Sequence, residues 1–305
     1  MRKVLSVVFI FLSFLILCFC HNPDKSNVIS VEKHQSDVEE WYSNRVASLK
    51  ADEGWLNLIG LYWLNEGPNS FGSDPRSVLH LDSDVFPAIL GIFELEGEKV
   101  FFIPKTDGIE SEGDQITTRT LIFDIENELS LKLGFQSLRW NIIKRSDAIG
   151  VRVRDLEGKA IAEFEGIERY PVSLEWRLEG KFVPYEPLRE IAITNVLGQT
   201  SQNPSPGYVE FQKDDKKYQI DALEEGDELF LIFADETSGG ETYGGGRYMY
   251  VNNPGPNGTT VLDFNKAYNP PCVFTPHATC PLPPRQNMLD LEIKAGERDF
   301  GEHLN

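Results

Sequence analysis

The sequence predicts a mainly β protein: antiparallel β-sandwich or barrel-like units with one N-terminal helix. Short apolar runs recur between turn-forming residues from Val78 onward, a spacing typical of sandwiches and barrels. One stretch near the N-terminus, containing Val38, Trp41, Tyr42, Val46 and Leu49, has helical periodicity instead. Two long loops, one rich in glycine and one in proline, then interrupt the C-terminal part. Proline removes a backbone donor and fixes φ, so such a loop belongs to neither a helix nor a central strand.

Residues 1–20 have the form of an export signal, with Arg2 and Lys3 ahead of the apolar run Val4 to Leu17. The run is short for a membrane span. It ends Leu17-Cys18-Phe19-Cys20 and is followed by a polar segment, which resembles a bacterial lipoprotein signal with Cys20 as the lipidated residue. The expected location is the bacterial cell envelope, with the membrane reached through the N-terminal lipid. Residues 21–35 read as a polar tether, and His34 is expected to be exposed in it. The net charge of -19 opposes nucleic-acid phosphate, so nucleic acid is not an expected partner.

Ser36-Asp37-Val38-Glu39 has capping-box spacing and places a helix over 37–50. The segment Trp55 to Leu64 is dense in aromatics and reads as buried strand or packed loop, with a stacking platform as the sharper alternative. Strands follow at 78–81, 89–95, 99–103, 115–122, 129–133, 138–144, 149–153 and 160–164. Gly67 to Asp74 resembles the opening of a forkhead-associated sandwich, which implies the fold only. This first unit is placed at 36–182.

The second unit, 183–305, opens with a strand over 190–197 and a turn over 198–207. Strands at 208–213 and 217–222, joined near Asp215-Lys216, form a hairpin. Strands at 228–234, 248–251 and 260–264 complete it.

Asp235 to Arg247 contains five glycines, which permit positive φ or close backbone approach. No Gly-Lys-Ser/Thr follows, so it is not a phosphate-binding P-loop. Its polar members Asp235, Glu241, Thr242, Tyr243 and Arg247 are candidate site residues, because binding groups concentrate on loops. If the strands at 248–251 and 260–264 pair, Arg247 approaches Asp263, either as a structural ion pair or as a clamp for carboxylate or phosphate. Leu262 to Pro284 holds six prolines, Cys272 and Cys280. For the two cysteines four readings stand: a disulfide favoured by export, free thiols, a metal site with His277, or a nucleophile with His277 as base.

Three segments resemble the DUF1684 family, bacterial proteins of unknown function: Trp55 to Gly67, Phe233 to Arg247, and Leu262 to Pro284 with Asn287 and Ile293 to Glu297. The resemblance implies membership and no activity. The expected function is therefore a small polar or anionic ligand held between the glycine and Pro/Cys loops. Arg169 and Arg247 would supply charge, Thr242, Asp263, Asn265 and Asn269 hydrogen bonds, and Tyr243 and Tyr268 walls. Two alternatives stand beside it. One is a hydrolase using Asp235, Glu241 or Asp263 as acid or base; the other is a structural envelope protein. No cofactor is expected.

Overall fold

The computed structural model describes residues 29–145 and 147–301. The export signal, Cys20 and most of the tether lie outside them. The helix α1 runs Val31–Lys50, with Ser30 as N-cap accepting from the Lys33 amide. It therefore starts six residues before the expected capping box. Glu32 in its first turn and Lys50 in its last both favour the helix dipole. The extra turns carry His34 into a buried position, 2% exposed, which corrects the expectation of an exposed tether histidine.

The fold is mostly β, as the sequence predicts, and its ladders are antiparallel except for one short parallel pair. The strands of the first half are β1 (Leu58–Trp63), β2 (Gly67–Gly72), β3 (Leu79–His80), β4 (Gly91–Glu96), β5 (Lys99–Pro104) and β6 (Glu110–Ser111). They continue as β7 (Asp114–Gln115), β8 (Thr120–Asp124), β9 (Leu129–Ser130), β10 (Leu133–Phe135), β11 (Leu138–Arg145) and β12 (Ala148–Asp155). Two six-stranded sheets result, in the orders β1-β12-β11-β10-β6-β7 and β3-β2-β4-β5-β8-β9. Their inner faces supply one core, with Phe71, Phe93, Phe102 and Trp140 at its centre. These rings meet at centroid distances of 5.0–5.7 Å in tilted or edge-on pairs, each adding about 0.5–1.5 kcal/mol beyond area burial. On β12, Ile149, Val151 and Val153 face this core, so the period of two sends Arg152 and Arg154 to the opposite face.

The segment expected as a strand at 160–164 is instead a short helix, α2 (Lys159–Glu163). Its Ile161, with Phe164 and Ile167, joins α1 and the Pro/Cys loop in a separate cluster with Phe274. That apolar burial, not a sheet edge, accounts for the run.

The second half forms a single sheet from β13 (Arg177–Thr194), β14 (Thr200–Lys213), β15 (Lys216–Glu225), β16 (Glu228–Phe233), β17 (Arg247–Asn252) and β18 (Thr259–Asp263). Its order is β17-β16-β15-β14-β13-β18. The edge strands β17 and β18 come alongside each other, which makes the sheet nearly a closed barrel. Residue 182 lies within β13, a strand continuous from 177 to 194. The expected 198–207 turn is shorter: Asn195 to Gln199 make it, and β14 continues through Pro204 and Pro206. Pro206 falls where the ladder to β13 shifts register, between the Pro184 and Arg189 pairs, and Pro204 lies in the part of β14 that pairs with β13 alone, ahead of the β15 ladder. The β14–β15 hairpin turns at Asp214 and Asp215, both at positive φ, as a tight hairpin requires. The barrel interior holds Val209, Phe211, Leu231, Phe233, Leu262 and Phe264.

Candidate functional site

The glycine loop leaves β16 at Asp235 and returns at Arg247. One carboxylate oxygen of Asp235 accepts from the Thr237 amide at 2.7 Å, and the other from Arg247 Nη2 at 2.6 Å. Arg247 also donates to the carbonyls of Ile293 (2.9 Å) and Ala295. Both side chains of the pair have zero exposure. Gly246, at φ +82°, sits so close that a Cβ would lie 2.5 Å from the Phe233 carbonyl oxygen. Glycine is thus the residue that lets the loop close and deliver Arg247. Thr242 is fully buried and shares a hydrogen bond with Thr237. Glu241 lies outside, near Tyr170 Oη (3.1 Å) and Lys294 Nζ (3.5 Å). Tyr243 packs into the cluster beneath α1.

Arg247 and Asp263 do not form the expected pair. The strand of Arg247 pairs with β16 and that of Asp263 with β13. Each finds a nearer partner. Asp263 Oδ2 meets His34 Nε2 at 2.8 Å, and Oδ1 accepts from Asn265 Nδ2 at 2.8 Å. Asn265 in turn bonds both backbone groups of Ser173 at 2.9 Å. Arg169 pairs with Glu39 and covers the Tyr42 ring at 4.2 Å. Asn269 is buried, its side chain donating to the Arg298 carbonyl at 2.7 Å.

Sequence reading placed Glu297 in a family-like segment, Ile293 to Glu297, and gave it no role. It is fully buried, accepts from the Asn269 amide at 2.7 Å, and meets Arg45 Nε at 3.2 Å. Burial pushes its carboxyl up, opposed by the Arg45 charge. Nothing in its local sequence marks it, because its partners lie far away in the chain.

The Pro/Cys loop is closed by a Cys272–Cys280 disulfide with a Cα–Cα distance of 6.1 Å. His277 is half-buried, and burial lowers its pKa. Among the described residues, no three of His, Cys, Asp and Glu are grouped to hold a metal ion.

One wall of this loop, around Thr279 and Cys280, borders a cleft of about 350 Å³. The opposite wall comes from the N-terminal sandwich, through Trp55, Arg145 and Arg152, and the barrel adds Tyr250 and Tyr268. The rings of Tyr250 and Tyr268 stack at 6.3 Å. Burial raises both phenols, and Glu225 beside the Tyr250 hydroxyl adds to its shift. Arg152 lies over Trp55 at 5.2 Å and makes no ion pair with any described residue. Its Nε is buried without an acceptor among the described residues. Burial, then repulsion from Arg145 and Arg154, brings its pKa down to about 10. Of the residues singled out in the sequence, Tyr268 and Cys280 line this cleft. Asp263 lines a second one of about 490 Å³ beside α1. Arg247, Thr242 and Asn269 are bonded inside the fold and line neither of these clefts, with Arg247 Nε and Asn269 Oδ1 buried without partners among the described residues. Arg152 was missed: alternation on its strand marks it as outward-facing, but no local signal says that it lacks a carboxylate.

Residues 162–298 match the family model DUF1684, described as a protein of unknown function. No curated protein matches the chain. A solution NMR structure of an uncharacterized protein of Haloarcula marismortui is similar at 28% identity and a TM-score of 0.39. The match covers 47% of this chain and 80% of that one.

Proposed function

With residues 162–298 belonging to the DUF1684 family, we propose that the chain is an envelope lipoprotein that binds a small organic anion in the cleft beside the Pro/Cys loop. The anchor in this reading is Cys20, and it rests on the sequence of residues 1–20. The binding part is carried by Arg152, a half-buried guanidinium with no carboxylate partner among the described residues, in a chain where acids outnumber bases 48 to 29. Most partly buried charges are paired, so an unpaired one facing an open cleft favours an incoming anion. The walls specify the rest of the ligand. Trp55, Phe230, Tyr250 and Tyr268 offer apolar ring surface, which suits a carboxylate carrying a flat or aliphatic body better than a bare inorganic ion. Planar guanidinium matches a carboxylate with two parallel hydrogen bonds.

Calorimetric titration of the full-length protein with benzoate, hexanoate and inorganic phosphate tests the binding part. The organic anions are expected to bind, and Arg152→Gln to weaken them at least tenfold, about 1.4 kcal/mol. Equal binding to wild type and Arg152→Gln, or none to either, would sink the reading. The anchor is tested separately by metabolic labelling with a fatty acid, with the label expected to vanish in Cys20→Ala.

A further inference from the structure

A third cleft, of about 380 Å³, opens on the outer face of β11 and β12. It is lined by three arginines, Arg139, Arg152 and Arg154, and by three acids, Asp52, Glu110 and Glu112. Only Arg152 is shared with the first cleft. None of these six makes an ion pair with any described residue. The remaining two charges of the rim, Glu53 and Lys132, pair with each other. Charges of both signs therefore face one space without closing into ion pairs, the Glu53 carboxylate reaching Arg154 only as a through-space attraction.

Strand register explains the separation. Glu110 stands opposite Gly134, Gly134 opposite Arg139, and Arg139 opposite Arg154. The four positions form one row across neighbouring strands, so the Cα atoms of Glu110 and Arg139 are about 10 Å apart and those of Glu110 and Arg154 about 14 Å. Gly134 contributes no side chain, and a Cβ there would come within 3.0 Å of Arg139 Nη1. The row thus has an acidic end at Glu110 and a basic end, with the Arg139 side chain laid across Gly134 between them. Arg139 and Arg154 are like charges directly opposite, an unfavourable arrangement in a sheet.

The basic end is also undersupplied with acceptors. Arg154 is 9% exposed, and its one hydrogen bond runs from Nη1 to Asn141 Oδ1 at 3.0 Å. Its Nε and the Nε of Arg152 are buried without acceptors among the described residues. Arg139 directs Nη1 to the carbonyls of Gln136 and Leu138, at 2.7 Å each. Buried donors without acceptors keep their desolvation penalty until something supplies an oxygen. A carboxylate would do so. A plain anion, however, would also meet the repulsion of Asp52, Glu110 and Glu112.

We propose that this cleft binds a small zwitterion whose two charges are held several atoms apart, of the kind found in short peptides and ω-amino acids. The carboxylate lies against Arg152 and Arg154, the ammonium reaches Glu110, and the chain between them passes over the Arg139 side chain that covers Gly134. Each charge of the ligand answers a charge that the fold leaves unpaired.

The test is calorimetric titration of the full-length protein with 5-aminopentanoate, pentanoate and pentylamine, which differ only in which charges they carry. The zwitterion is expected to bind, and each singly charged analogue at least tenfold more weakly. Arg154→Gln and Glu110→Gln should each weaken 5-aminopentanoate at least tenfold with melting temperature retained. Because Arg154 is buried and its replacement can unsettle the sheet, Glu110→Gln carries the same test from the other end. Pentanoate binding as tightly as 5-aminopentanoate, and weakened as much by Arg154→Gln, would overturn the proposal in favour of a simple anion site, whereas pentanoate binding indifferent to Arg154→Gln belongs to the Pro/Cys cleft. Absence of binding by 5-aminopentanoate and by triglycine alike, or full affinity in Glu110→Gln, would overturn it outright. Neither Arg154 nor Glu110 lines the cleft at the Pro/Cys loop, so the two sites can fail separately.

Discussion

Arg247 and Arg154 are both buried arginines on strands, one in the barrel and one in the sandwich. Arg247 is met by the Asp235 carboxylate and by backbone carbonyls of Ile293 and Ala295. Arg154 is met by one side-chain amide and, across the ladder, by another arginine. The barrel gives its guanidinium a carboxylate and three carbonyl acceptors and leaves only Nε without one among the described residues, and Arg247 lines none of the three clefts. The sandwich leaves acceptors missing where a cleft is open. The difference separates an arginine that joins three segments of the fold from arginines placed to meet something else. It also moves attention from the glycine loop, where sequence reasoning put the site, to the outer face of the sandwich.

The contrast breaks most visibly at Asp235. Asp235→Ala strands Arg247 as an uncompensated buried charge and should cost about 3–5 kcal/mol, read as a shift of the denaturant midpoint. The double replacement Asp235→Leu with Arg247→Met should lose less than Asp235→Ala alone, since a buried pair exchanged for apolar groups is often neutral. A smaller effect is expected at the helix clasp. His34→Ala leaves Asp263 with Asn265 alone, and should cost about 1–3 kcal/mol in the same measurement.

The arginines of the sandwich should behave in the opposite way. Arg152→Gln is expected to change stability within about 0.5 kcal/mol, and in the favourable direction near neutral pH. The sign follows from its pKa, lowered from 12.5 to about 10. The folded chain disfavours the charged form, so protonated Arg152 weakens the fold below pH 10, and that penalty lifts as the pH rises from 10 towards 12.5. The advantage of Arg152→Gln should therefore shrink across that window. Anion affinity at the Pro/Cys cleft should fall over the same range, because the guanidinium there loses its proton. Urea titrations and calorimetry at pH 8 and pH 10.5 read both.

Much of the β architecture was legible, because alternation and turn chemistry are local. The 138–144 and 149–153 runs appear as β11 and β12, and the Asp214-Asp215 turn closes the expected hairpin. What failed were features set by distant partners. Val31 to Gln35 looked like tether, yet it is helical and docks His34 on Asp263, 229 positions away. Ala160 to Phe164 has the apolar content of a strand but lies against α1 and the Pro/Cys loop. The prolines of β14 suggested a turn, and the register shift that accommodates Pro206 is a property of the pair of strands. In the candidate site, Arg247 was marked as a ligand-binding residue and Asp235 as an acid or base, while their pairing with each other and their full enclosure were invisible. Arg152 and Arg154 carried no mark, since the lack of a counter-ion is a statement about everything around them.

The barrel is covered at its β17–β18 seam by α1, an element made some two hundred residues before the strands it touches. Arg45 of that helix reaches Glu297 and the Asn269 carbonyl, and His34 reaches Asp263. These contacts have very high contact order, so their loop-closure cost precedes their reward. During synthesis the helix emerges first and waits with its inner face uncovered until the final segment is released. The last step of assembly is thus a docking between α1 and the late segment that carries Asp263, Asn269 and Glu297. A fragment limited to residues 162–298 would make the barrel strands without the piece that closes their seam.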